Sequence, residues 1–325
     1  NFYSAGIHTN HGLYATLYSF PAMMKRNLMK GSVIPRYSGL PTVLKENGYY
    51  NLFFMTHEGQ YDNMNAFFRT NGYDEVFSQE NYPADKVVNS FGVQDDFLYD
   101  YAIPVLNQRA ATGQPFFATL LSISNHPPYV IPPFFHPKTS EPETQIVEYA
   151  DWALRQFFEE ARKQPWFDNT IFVLEGDHGK LVGDAECELP ESYNHIPLMI
   201  YSSRIQPEEK TTFGGQVDIQ PTILGLLNID YLQNNFGVDL LKEERPCMFY
   251  TADNMVVGRN DTLLYLYNYE TQQELTYDIG NGKLNAVPMD DSFLPLKEYS
   301  FSMLQSAEFL VKHGKTLNSI PFTQQ

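Results

Sequence analysis

Apolar residues in this chain come in short continuous runs rather than in strict alternation, and most runs stop at a polar cluster. Tyr50 to Met55, Phe116 to Ile123 and Ile171 to Leu174 have the length and texture of strands buried on both faces, and Pro197 to Tyr201 is a fourth. The first three each end in a group that contains a histidine: Thr56-His57-Glu58-Gly59, Ser124-Asn125-His126-Pro127 and Glu175-Gly176-Asp177-His178-Gly179. The fourth differs, because His195 precedes it. Between the runs the spacing turns helical. Leu40 to Asn47 closes at Gly48, a C-cap residue, and Leu13 to Phe20 is apolar enough for a helix. Asp151 is placed to cap a helix reaching about Lys163, with Trp152, Leu154, Phe157, Phe158 and Ala161 on its apolar face. Gln220 to Leu227 carries Pro221 in its first turn. The pattern predicts an α/β fold with buried parallel strands. In open sheets of that kind ligands bind beyond the carboxyl ends of the strands, so the histidines are expected to converge on one cleft.

Two stretches depart from this rhythm. Pro127 to Pro142 is rich in proline and reads as an irregular excursion forming a lip over a site. Beyond about Asp239, Met248 to Val257, Thr262 to Tyr269 and Glu274 to Ile279 read as short strands between Asn, Asp and Gly turns, and Leu296 to Lys312 has helical spacing. That predicts a core over 1–241 and a small α+β subdomain with antiparallel strands over 242–325, packed on the core. Its tyrosines are read as core residues rather than as a glycan-stacking surface.

Composition narrows the function. With 22 Lys+Arg against 39 Asp+Glu the net charge is −17, a field that repels nucleic acid. Two cysteines, Cys187 and Cys247, are too few for a disulfide framework or a four-cysteine zinc site, although one bridge between them stays open. The chain starts at Asn1 without Met, and shows neither a signal sequence nor an 18-residue apolar span. It therefore reads as an excised piece.

Two segments carry candidate chemistry. Asp177 and His178, at the mouth of a strand and flanked by glycines, offer a hard oxygen and an imidazole nitrogen, a mixed set that suits Zn²⁺ or Mn²⁺. The plainer reading is a turn aspartate beside a histidine. Thr9 lies in Gly6-Ile-His8-Thr9-Asn10-His11-Gly12, just before the apolar stretch. A hydroxyl at a helix N-terminus beside a cation is more easily deprotonated and faces a dipole that favours anions. On this segment alone, a helix N-cap is the simpler role for Thr9.

The order of motifs goes further. After Gly6-Ile-His8-Thr9 come Leu-Pro-Thr-Val-Leu-Lys-Glu-Asn-Gly-Tyr at 40–49, Thr-His-Glu-Gly at 56–59 with Asp-Asn-Met at 62–64, and Asn-Gly-Tyr-Asp at 71–74. Then follow Phe-Gly-Val-Gln-Asp-Asp at 91–96, Ser-Asn-His-Pro-Pro at 124–128, Trp-Phe-Asp-Asn-Thr-Ile at 166–171 and Gly-Asp-His-Gly at 176–179. His-Ile-Pro-Leu-Met-Ile-Tyr at 195–201, Val-Asp-Ile-Gln-Pro-Thr-Ile-Leu at 217–224 and Phe-Gly-Val-Asp-Leu-Leu at 236–241 complete the series. The chain resembles the sulfatase-like branch of the alkaline phosphatase superfamily, and within it the lipoteichoic acid synthase and phosphoglycerol transferase group.

The resemblance implies an alkaline-phosphatase-like sandwich, with a mainly parallel central sheet flanked by helices, as catalytic core over 1–241. It implies Thr9 as nucleophile and metal ligand, and Asp177 and His178 as further ligands of one Mn²⁺ or Zn²⁺. His57 and His126 match histidines that hold phosphate oxygens or protonate the leaving alcohol, and His195 matches a further substrate-pocket histidine. The family's first strand lies upstream of the threonine and ends in a metal-binding Glu; nothing precedes Asn1, so that strand is expected to be missing and the cation weakly held or absent. Lipoteichoic acid synthases also place a Trp and an Arg where this chain has Tyr61-Asp62-Asn63-Met64, which removes a bidentate phosphate contact. Neither Cys187 nor Cys247 sits in the Cys/Ser-x-Pro/Ala-x-Arg motif of formylglycine sulfatases. The expected activity is phosphoglycerol transfer from a phospholipid head group to a hydroxyl of a glycan or polymer through a phosphothreonine. The expected site of action is the outer side of the cell membrane, reached through an N-terminal anchor outside this chain. Phosphoethanolamine transfer, phospho- or sulfo-ester hydrolysis, and a catalytically dead binding domain remain as alternatives.

Overall fold

The computed structural model describes residues 1–31 and 33–318; position 32 and the end of the expected C-terminal region, 319–325, lie outside the described residues. In chain order the elements are β1 (Phe2–Tyr3), α1 (Thr9–Tyr18), α2 (Leu40–Glu46), β2 (Tyr50–Met55), α3 (Met64–Thr70), β3 (Glu75–Phe77), α4 (Asp95–Ala110), β4 (Phe116–Leu121), α5 (Pro142–Ala161) and β5 (Phe172–Glu175). They continue as β6 (Leu198–Tyr201), β7 (Gly214–Gly215), α6 (Ile219–Leu226), β8 (Met248–Thr251), β9 (Met255–Arg259), β10 (Leu263–Asn268), β11 (Gln273–Asp278), β12 (Asn285–Ala286) and α7 (Leu294–Lys312). The chain forms two compact units: 1–40 with 172–201 and 206–325, and 41–171 with 202–205.

The second unit is built on a parallel sheet in the order β3-β2-β4, with Leu52 facing Glu75 on one side and Ala118 on the other. β2 is central because both its faces are covered, as its unbroken apolar run requires. Phe53 stacks on Phe68 at 4.1 Å and Phe54 on Phe77 at 4.7 Å. Asn51 carries a carboxamide inside that run, and its Nδ2 donates to the carbonyls of Pro41 (2.6 Å) and Gly72 (2.8 Å). α2 ends before Gly48, whose φ of +84° is the left-handed turn expected of it. α5 starts nine residues ahead of the expected Asp151 cap, with Pro142 at its first position, so Asp151 lies inside the helix. Ile146 and Tyr149 extend the buried face of Ala153, Phe157 and Ala161 towards the N-terminus at the same three- and four-residue spacing.

In the first unit two expectations are corrected. β5 and β6 pair antiparallel, Phe172 opposite Tyr201 and Glu175 opposite Leu198, instead of joining a parallel sheet as fully buried strands. Only one face of β6 is covered: Met199 and Tyr201 are exposed. The run Met248 to Val257 is a hairpin rather than one strand. Ala252 N–H donates to Met255 O at 3.0 Å around Asp253-Asn254, turn-forming residues that break the run. The hairpin belongs to a five-stranded antiparallel sheet in the order β12-β11-β10-β9-β8. α7 lies against β9 so closely that a Cβ on Gly258 would stand 2.4 Å from Ser300 Oγ and 2.9 Å from Leu296 O. β1 pairs in parallel with β7. Under this arrangement Asp218, fully buried, takes Arg245 Nε on both oxygens at 2.9 and 2.8 Å. Cys187 and Cys247 are both free.

Candidate active site

α1 begins at Thr9, and the residue in the capping position is His8, with extended backbone. The capping role for Thr9 is therefore set aside. Its hydroxyl instead donates to Asp177 Oδ2 at 2.6 Å. Asp177 follows β5, and its other oxygen, Oδ1, accepts the backbone N–H of His178 at 2.9 Å. The carboxylate is thus oriented by one bond on each oxygen. His178 Nδ1 donates to Gly179 O at 2.7 Å; a carbonyl only accepts, so Nδ1 carries a proton and Nε2 is the nitrogen turned to Asp177. Nε2 lies 3.6 Å from Asp177 Oδ2. The first unit therefore brings a hydroxyl, a carboxylate oxygen and an imidazole nitrogen together.

This is a donor set of the type that suits zinc or manganese, and the second bond at Nδ1 is the usual way to orient a ligating histidine. The residues fit such an ion as a partial set. Among the described residues no group of three or more His, Cys, Asp or Glu side chains is arranged to hold a metal.

Supports unnoticed in the sequence hold this arrangement. Gln216, fully buried, donates from Nε2 to Asp177 O (2.8 Å) and Gly176 O (3.1 Å) and accepts Ala5 N–H on Oε1 (2.8 Å). One amide thus braces both the segment before Thr9 and the turn after β5. Gly12 lies where a Cβ would come within 2.3 Å of Asp177 O, so α1 crosses the turn at backbone contact. Below the donors, burial pushes the Glu175 carboxyl up to about 8, against the hydrogen bond it receives from Thr16 and with a further push from Asp177. His195, also in this unit, sits elsewhere in the hydrogen-bonding scheme. Its ring stacks on Tyr3 at 5.1 Å, and Tyr3 donates its hydroxyl to Glu191 at 2.8 Å.

The second unit carries His57 and His126 at the ends of the neighbouring parallel strands β2 and β4, as the sequence pattern predicts. Both use the device seen at His178. His57 Nδ1 donates to Glu58 O (3.1 Å) and His126 Nδ1 to Pro127 O (2.6 Å), so in each ring Nδ1 carries a proton held by backbone. Aromatic rings link them: His57 to Tyr61 at 4.7 Å, Tyr61 to Phe91 at 6.5 Å, Phe91 to His126 at 4.2 Å. Burial lowers the His57 pKa, opposed by the Glu58 carbonyl and the charges of Asp62, Glu80 and Glu58. Asp62 and Asn63, with φ of 50° and 61°, place two successive non-glycine residues in the left-handed region, a costly backbone of the sort that collects at working sites. Asp95, nearly fully buried, accepts the N–H groups of Ile123 (2.9 Å) and Ser124 (3.0 Å) on Oδ1 and so fixes the segment leading to His126. Asp95 stood inside the 91–96 motif, but its role depends on a contact 28 residues away and had no local signal.

The fold is that of the alkaline phosphatase superfamily. A crystal structure of a superfamily protein from Vibrio parahaemolyticus is similar at a TM-score of 0.86 and 27% identity, covering 97% of this chain and 78% of that one. The lipoteichoic acid synthase LtaP from Listeria monocytogenes is similar at a TM-score of 0.81 and 22% identity, covering 96% and 82%. The sequence model of the sulfatase family matches residues 1–229, and the chain belongs to that family of enzymes. Lipoteichoic acid synthase 1 of Bacillus subtilis is 26% identical over 270 residues, 76% of this chain and 40% of the relative. Phosphoglycerol transferase I of Xanthomonas campestris is 26% identical over 243 residues, 71% and 34%. The chain thus spans less than half the length of these curated relatives.

Proposed function

We propose that this chain is the catalytic domain of a phosphoglycerol-transferase-like enzyme, working on a phospholipid at the outer face of a cell membrane. The observation that carries the reading is the Thr9 hydroxyl at the first position of α1, bonded to Asp177 Oδ2 at 2.6 Å, with Nε2 of His178 3.6 Å from the same oxygen. A hydroxyl so placed has its proton already directed at a carboxylate and sits at the positive end of the α1 dipole. Relatives named for lipoteichoic acid synthesis and phosphoglycerol transfer support the same chemistry. No helix among the described residues is long and apolar enough to cross a membrane.

In the first step Thr9 Oγ1 attacks the phosphorus of the donor phosphodiester. The bond from phosphorus to the diacylglycerol oxygen breaks as the Thr9 proton passes to Asp177, and the released oxygen takes up a proton from water. In the second step a hydroxyl of a glycan or growing polymer attacks the phosphothreonine diester; the new P–O bond forms and Thr9 regains its hydroxyl. A divalent cation held by Thr9, Asp177 and His178 would supply charge stabilisation for both steps. His195 would contact the transferred group from the substrate side. Glycerol phosphate is the leading head group, and the Tyr61-Asp62-Asn63-Met64 segment makes donor choice the point to measure.

The test is to incubate the full-length protein and Mn²⁺ with fluorescent phosphatidylglycerol, phosphatidylethanolamine and a sulfate ester in parallel. Diacylglycerol released from phosphatidylglycerol and lost in Thr9→Ala is the expected result. Release that survives Thr9→Ala, or none from any phospholipid, overturns the mechanism.

A further inference from the structure

Residues 5–8 are the non-helical connection that delivers Thr9 to the first position of α1. The start of this connection is held on two sides, because Ala5 N–H donates to Gln216 Oε1 at 2.8 Å and Ala5 O accepts the N–H of Thr251, the last residue of β8, at 3.0 Å. Its end is held at His8. There the ring nitrogen Nε2 lies 2.6 Å from Asp253 Oδ1, and since a carboxylate only accepts, the nitrogen donates. We infer that Asp253 is a positioning residue for the Thr9 hydroxyl, acting through His8.

His8 is the joint between the connection and the helix. Its backbone is extended, with φ of −132° and ψ of 148°, and its carbonyl accepts the N–H groups of His11 (2.9 Å) and Gly12 (3.2 Å), the opening bonds of α1. A rotation of His8 therefore carries that carbonyl with it, and the first turn follows, Thr9 included. The side chain opposes such a rotation through two contacts, the bond to Asp253 and an edge-on meeting with the His11 ring at 5.0 Å.

Asp253 is a firm anchor for this purpose. It stands in the turn between β8 and β9, and that turn is tied from outside the hairpin: Asp253 O accepts Lys25 N–H at 3.2 Å and Asn254 O accepts Tyr269 N–H at 2.8 Å. The five-stranded antiparallel sheet, which carries none of the candidate site residues, thereby reaches the segment that presents the nucleophile.

Magnitudes separate this role from plain stabilisation. The His8 and Asp253 side chains are 48% and 49% exposed, and pairs so exposed contribute little to folding. What the bond fixes is the orientation of one helical turn, and a reacting group misplaced by about 1 Å can lose about 10²-fold in rate. The inference rests on the transferase reading for the reaction that Thr9 serves, so its test carries one readout that needs turnover and one that does not.

Full-length parent, His8→Ala, Asp253→Ala and Asp253→Asn would be compared with Mn²⁺ and fluorescent phosphatidylglycerol. In both Ala variants kcat should fall about tenfold, with KM and the thermal midpoint unchanged. Asp253→Asn keeps a carbonyl oxygen for the same N–H and should recover most of the rate. Hydrogen–deuterium exchange, followed by mass spectrometry, would report on the peptide spanning residues 5–13. Its uptake should be about tenfold faster in Asp253→Ala and close to the parent in Asp253→Asn. Unchanged uptake in Asp253→Ala overturns the inference, and so does faster uptake with kcat intact. A parent that turns over no phospholipid would instead remove the transferase reading, and the uptake alone would then decide whether Asp253 holds the Thr9 segment.

Discussion

Thr9 and Asp177, 168 residues apart in the chain, share a 2.6 Å hydrogen bond from hydroxyl to carboxylate. The nucleophile proposed here therefore has a fixed acceptor for its proton and a fixed distance from the donors Asp177 and His178.

Replacing Thr9 by Ala should reduce head-group transfer by about 10³-fold or more while costing about 1 kcal/mol of stability, the loss of one hydrogen bond. Thr9→Ser keeps the hydroxyl and should retain part of the activity. Transfer assays with thermal melts on the same samples check this; an Ala variant that turns over like the parent would remove Thr9 from the mechanism.

Asp177→Asn preserves shape and removes the charge. Mn²⁺ affinity, followed by the electron paramagnetic resonance signal of the free ion, should fall at least tenfold. The readout is independent of turnover. Equal affinity in parent and variant would mean that a cation, if held, is held elsewhere.

Burial lowers the pKa of His57, so the folded protein resists its protonation. The unfolded chain takes up that proton near pH 6.5 and the folded one only at lower pH. Between the two values the unfolded state binds more protons, so stability falls as pH drops through 6.5 and levels off below the folded value. Denaturant titrations between pH 5 and 8 should show this slope reduced in His57→Gln. An identical slope in the variant would assign it to other groups.

Asp95→Ala leaves the N–H groups of Ile123 and Ser124 without their acceptor and should cost roughly 2–4 kcal/mol. Asp95→Asn retains a carbonyl oxygen and should cost less. Urea unfolding measures both, and an Ala variant as stable as the parent would deny Asp95 its role in holding the His126 segment.

What could be read from the sequence was local. β2 runs from Tyr50 to Met55 as its apolar run indicates, and the histidines at the ends of β2 and β4 follow from strand plus polar terminus. The direction of β5 against β6 was not legible, because a four-residue apolar run looks the same in either pairing. The role of Thr9 was ambiguous for a related reason: a helix cap and an activated hydroxyl call for the same residue type at the same place. Gln216 gave no signal, since a glutamine bracing Gly176 and Asp177 from 40 and 39 residues away resembles any polar residue before a helix. The Asp218–Arg245 pair, 27 residues apart, was hidden in the same way.

At Gly12 the gap between α1 and the turn carrying Asp177 is too narrow for a single methyl group. Main chain touches main chain there, and such a contact has no rotamers to relax and no side chain to trim. The reach from Thr9 to Asp177 is thus gauged by a hydrogen atom, and any residue larger than glycine at position 12 would lengthen it for as long as the fold persisted.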